Sequence, residues 1–151
     1  MKDLVISAAT LNKKTQEDDD FEVFPDFFAA AQKDFAARMD WTVKSDFSMA
    51  NHAPIITLDM PRVIKVKAGQ ELKLHAKVKE PDGDGYTSKW WHFNTLKSMP
   101  KLMLSDNSGL TTTVKISPLV QSGQTYFLVV EVIDDKPDSL TAYQLLKFII
   151  Q

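Results

Sequence analysis

The 151-residue chain has no cysteine. That excludes disulfide staples, thiolate metal sites and cysteine nucleophiles together. Glycine is scarce, with five in all, so little backbone is free to wrap a nucleotide phosphate. Net charge is small, at -2, and no basic stretch is interleaved with aromatics, so neither nucleic acid nor an anionic membrane surface is an expected partner. No apolar run is long enough to span a bilayer, and the N-terminal Met1–Ile6 stretch lacks the long apolar core of an export signal. Gly-x-Ser-x-Gly and His-Glu-x-x-His are both absent.

What remains is ordinary for a globular protein that can bury a core without staples: 44% hydrophobic and 25% charged residues. The pattern changes near Asn51-His52-Ala53-Pro54. From Pro25 to about Val43 it is helical, with Phe28, Ala31, Phe35 and Met39 at three- and four-residue steps on one face. Alanines raise the helix propensity, and Pro25 suits a first turn. One such helix cannot bury its stripe alone, so it must pack on the following domain or on a partner domain. The acidic run Glu17–Asp20 reads as a solvated loop; it lacks the spacing of an EF-hand.

From Ile55 onward short alternating segments are separated by turn signals, which predicts an antiparallel β-sandwich of about seven strands. Leu72, Leu74, Ala76 and Val78 alternate with Glu71, Lys73, His75 and Lys77, the pattern of a strand with one wet face. The fold expected is therefore mainly β and immunoglobulin-like, with residues 1–50 an N-terminal helical segment and 51–151 the sandwich.

Chemistry is sparse in this pattern. His52, His75 and His92 are scattered and read as surface or cross-strand histidines. Asp82, Asp84, Asp134 and Asp135 lie in turns, where aspartate bonds its own backbone. The sharper alternative is a surface calcium site shared by Asp82, Asp84 and Asp134, clamping two loops. Tyr86 to Phe93 carries the aromatics. Adjacent tryptophans must face opposite ways, so Trp90 or Trp91 points inward and the other outward. If Trp90 is the core residue, Trp91 and Phe93 share the outer face about 7 Å apart. Two covers suit them: the helix or a neighbouring domain on one side, a sugar ring stacked on the aromatics on the other. Tyr126 opens a long strand and is expected to be a structural corner tyrosine bonded to backbone.

Three groups, taken in order and spacing, resemble one known family: Lys33–Val43, Ala50–Pro54, and Pro81–Asp84 followed by Lys89-Trp90-Trp91-His92-Phe93. They are similar to the C-terminal region of the bacterial cellulose-binding, nucleoside-hydrolase-like family, over roughly residues 30 to 150. The resemblance favours Trp90 as the buried tryptophan. It implies an Ig-like accessory module, secreted or periplasmic, that follows a hydrolase-like domain and contributes to polysaccharide binding; the outward aromatics Trp91 and Phe93 are the residues expected to serve it. No cofactor and no catalytic residue is implied for this chain. The family's hydrolase-like domain starts with an Asp-x-Asp-x-Gly-x-Asp-Asp calcium motif, which Glu17–Asp20 does not match, so that domain is expected to lie outside this chain. A purely structural or adhesion module, stabilised by calcium, is the alternative; a fragment of an N-glycoside-cleaving enzyme is the third.

Overall fold

A computed structural model describes residues 27–47, 50–93 and 98–151. Pro25 and the Glu17–Asp20 run lie outside the described residues. Helix α1 spans Phe27–Val43 and eight strands follow: β1 (Ile55–Leu58), β2 (Val63–Val66), β3 (Glu71–Lys79), β4 (Tyr86–Phe93), β5 (Met103–Leu104), β6 (Thr111–Lys115), β7 (Thr125–Asp134) and β8 (Thr141–Ile150).

The strands form two four-stranded sheets, in the orders β1-β3-β6-β5 and β2-β8-β7-β4. All pairings are antiparallel except β2 with β8, which is parallel. This is the immunoglobulin arrangement, with the first strand split between the sheets. The split accounts for eight strands where about seven were expected. Pro61 has no N–H to give a ladder, so the chain breaks after Leu58. It re-enters the other sheet, where Arg62 O accepts from Lys147 N at 2.7 Å.

Period-2 alternation places the core. In β3 the residues Leu74 and Ala76 are buried, His75 between them is half-buried, and the flanking Lys73 and Lys77 are exposed. Leu128, Val130 and Val132 of β7 and Leu146, Phe148 and Ile150 of β8 face them across the sandwich. Trp90 is the inward tryptophan, 2% exposed, with its Nε1 donating to Gly109 O at 3.0 Å. Tyr126 is buried at the start of β7. Leu128, two residues on, stands where antibody domains place the second half-cystine, so apolar packing replaces the disulfide. The Tyr126 hydroxyl departs from expectation: it donates to the Gln124 side-chain oxygen at 3.3 Å instead of to backbone. Gln124 Oε1 also accepts from Gln121 N at 2.8 Å, so the tyrosine still reaches its turn through one amide. Burial raises the Tyr126 pKa above the usual 10.0.

Helix α1 lies against the outer face of the β4-β7-β8 sheet, but not through the stripe the periodicity suggested. Phe27 is its one buried residue, while Phe28, Phe35 and Met39 are 52%, 65% and 52% exposed. Residues 27, 30, 31, 34 and 37 turn toward the sandwich, at helical spacing. Ala30, Ala31 and Ala37 on this face are half-buried. The bulkier stripe is left on a flank about 100° away. The helix carries two i,i+4 ion pairs, Asp34–Arg38 at 2.9 Å and Asp40–Lys44 at 3.0 Å, each worth about 0.3–0.5 kcal/mol at most.

Candidate functional site

The first candidate surface lies under the start of α1. The alternation of β4 places Lys89, Trp91 and Phe93 outward, opposite Glu131, Val129 and Phe127 of β7. Tyr143 of β8 sits beside Glu131 in the next register. Phe27 packs on this group, with ring centroids 5.8 Å from Trp91, 6.5 Å from Phe93 and 5.2 Å from Tyr143. Trp91 and Phe93 are 6.2 Å apart with planes crossing at 69°. They are half-buried, not a flat open pair.

Glu131 is the unusual residue here, a carboxylate 4% exposed among aromatics. Its Oε2 accepts from Trp91 Nε1 at 3.2 Å and its Oε1 pairs with Lys89 Nζ at 3.0 Å. These contacts satisfy a charge that burial would otherwise penalise heavily. The same environment pushes the Tyr143 hydroxyl up to about 12, through burial first and the Glu131 charge second.

The second candidate surface is the junction of helix, linker and loops at one end of the sandwich. Here Asp82 grips the linker twice. Its Oδ2 accepts from His52 N at 2.7 Å, and its Oδ1 from His52 Nδ1 at 2.9 Å. The imidazole is stacked between Trp41 and Phe47, at 5.1 Å and 3.6 Å. Trp41 Nε1 donates to Asn51 O at 2.9 Å, which ties the last turn of α1 to the same linker. Asn51 Nδ2 in turn donates to Asp134 Oδ2 at 3.1 Å and to Asp138 O at 3.1 Å.

The acidic turn is organised by Glu80, whose Oε2 accepts from the backbone N–H groups of Asp82 and Asp84 at 2.7 and 3.0 Å. Gly83 has a φ of +77°, and a Cβ at Gly85 would collide with the Asp135 carboxylate, so this turn requires its glycines. Glu80, Asp82 and Asp84 come together, but Asp134 does not join them. Its two oxygens are committed to Lys136 N, Leu140 N and Asn51. Lys136 Nζ lies 2.9 Å from Asp84, placing an internal cation beside the carboxylates and raising its own pKa.

Trp91 and Phe93 share the outer face of β4, as the alternation predicted, and Asp82 and Asp84 lie in a turn. The sequence pattern reads His52 as a surface or cross-strand histidine, whereas His52 lies in the linker and is the post that Asp82 grips. Glu131 was missed, although one carboxylate inside the apolar run Tyr126–Ile133 was a signal of a buried, partnered charge. His75 is on the wet face of β3, as expected, with Nδ1 2.8 Å from Thr111 Oγ1.

The two-sheet topology and the buried strand tryptophan define an Ig-like β-sandwich module with a helix packed on one sheet through Phe27. Residues 71–151, more than half of the chain, match the family model of the C-terminal domain of cellulose-binding protein Sde0182, and the chain belongs to that family. A solved structure of a nucleoside hydrolase-related hypothetical protein from Saccharophagus degradans, associated with carbohydrate metabolism, is similar over 83% of this chain, at 26% identity and a TM-score of 0.75. This chain spans 32% of that protein. Weaker likenesses include fibronectin(III)-like modules of Clostridium thermocellum CbhA (TM-score 0.43, 13% identity, 66% of this chain and 47% of that one). Murine CRIg is another (TM-score 0.40, 13% identity, 64% of this chain and 98% of that one). Among curated proteins none matches.

Proposed function

We propose that the chain is a non-catalytic, accessory carbohydrate-binding module of a longer nucleoside-hydrolase-related protein. The observation that carries this reading is its membership of a cellulose-binding protein's C-terminal domain family. The similarity to about a third of a protein associated with carbohydrate metabolism supports it. A parent hydrolase-like domain is the partner that fits the flank of α1. Phe28, Phe35 and Met39 are more than half exposed there, an unusual concentration of large apolar groups for one helix. No helix among the described residues is long and apolar enough to cross a membrane.

Trp91 and Phe93 are the aromatic residues this reading would use on polysaccharide. Both are half-buried, and Phe27 and the crossed planes limit flat stacking on both rings at once. Retention of the chain on insoluble cellulose tests the reading, with Trp91→Ala beside it. Binding lost in a folded Trp91→Ala variant would give the aromatics the sugar. Binding kept would reserve them for seating the helix. No retention, and no binding of a soluble cello-oligosaccharide, would leave a structural or adhesion module.

A further inference from the structure

A groove of about 370 Å³ runs between α1 and the β7–β8 loop, on the flank of the helix away from Phe28, Phe35 and Met39. We propose that this groove is a saccharide-binding site that takes one or two rings of a single glycan chain; the proposal rests on the carbohydrate-binding reading above. The volume is at the small end of the roughly 300–1,000 Å³ typical of ligand sites. Its walls are neither apolar nor of one sign. Ala36 and Ala37 of α1 form an apolar strip, flanked by Asp40, Lys44 and Asn51.

Three lysines, Lys33, Lys44 and Lys136, line the groove with two aspartates, Asp40 and Asp138, and Asp84 at 2.9 Å from Lys136 supplies the third carboxylate. A phosphate would be repelled by the carboxylates and an apolar ligand would strand the ion pairs. A neutral polyol satisfies both kinds of wall, because each hydroxyl donates to a carboxylate or amide oxygen and accepts from an ammonium. Asn51 also lines the groove, held by its Nδ2, which donates to Asp134 Oδ2 and Asp138 O. Asp40 and Lys44 pair at 3.0 Å, which holds both groups in place and leaves each with further hydrogen-bonding capacity. The alanine strip offers room for the C–H face of a ring.

The test is titration calorimetry of the full chain with cellotetraose, beside retention on insoluble cellulose. Two variants are used: Asp40→Ala with Lys44→Ala, which strips polar groups, and Ala36→Leu, which fills the strip and removes none. Thermal unfolding confirms that both fold. Binding of cellotetraose that weakens about tenfold or more in both variants supports the site, as loss of hydrogen bonds to charged groups would. Cellotetraose binding unchanged in both overturns the groove and leaves the carbohydrate reading standing. Retention on cellulose without cellotetraose binding does the same. Binding of neither by the unmutated chain overturns both.

Discussion

Replacing Asp82 by alanine tests the junction that fixes helix to sandwich. The carboxylate is 6% exposed at its side chain and accepts two hydrogen bonds from His52, at 2.7 and 2.9 Å. Hydrogen bonds to a charged group contribute about 1.5–3 kcal/mol each, and a donor stranded by the loss of its partner costs about 1–3 kcal/mol. The two bonds share one carboxylate and do not add fully, so Asp82→Ala should cost about 3 kcal/mol. For a domain of this size that lowers the melting temperature by about 10 °C. Asp82→Asn keeps a carbonyl for the His52 N–H and turns an amide N–H₂ toward the ring, which can accept in its other tautomer; about 1 kcal/mol is expected. Thermal unfolding by circular dichroism reads the cost. Tryptophan fluorescence reads the release of Trp41, whose indole stacks on His52 at 5.1 Å. A cycle with His52→Ala should return a coupling of at least about 1 kcal/mol. If Asp82→Ala unfolds within about 0.5 kcal/mol of the parent chain, the grip carries no weight and the junction is held by something else.

Trp90→Ala should destabilise the sandwich by about 3–5 kcal/mol in urea unfolding, because a core indole with a satisfied N–H is lost from a packed interior. Phe35→Ser should change the stability of this chain by no more than about 0.5 kcal/mol, since Phe35 is 65% exposed; if the proposed hydrolase-like domain docks on this flank, the same substitution in the two-domain protein should separate its melting transitions. Tyr143 ionises only near pH 12 in the folded chain, against 10.0 for the ordinary side chain. The neutral phenol is therefore favoured by folding, and its contribution is complete below pH 10 and is lost as pH rises toward 12. Tyr143→Phe should flatten the alkaline fall in melting temperature over that window; an unchanged fall would contradict this environment.

Most of the sandwich was legible because strand periodicity and turn chemistry are local. Leu72, Leu74, Ala76 and Val78 announced β3, and adjacent tryptophans forced one inward. The helix was legible in extent but not in orientation. Periodicity finds the most apolar face, Phe28–Phe35–Met39, while the face turned inward is the one that begins with Phe27, the helix's buried residue. The junction was illegible for a different reason. Asp82 and His52 are 30 residues apart, and only the fold shows that a turn aspartate reaches a linker histidine. The groove has the same origin, with walls from α1, the linker and the β7–β8 loop, none of which carries a motif.

Whether this chain binds carbohydrate by itself is decided by retention of the purified chain on insoluble cellulose together with calorimetric titration with cellotetraose. Saturable binding that competing soluble glycan reverses is expected. Absence of binding to both, by a chain that unfolds cooperatively, would refute the proposed carbohydrate-binding role and leave a structural or adhesion module.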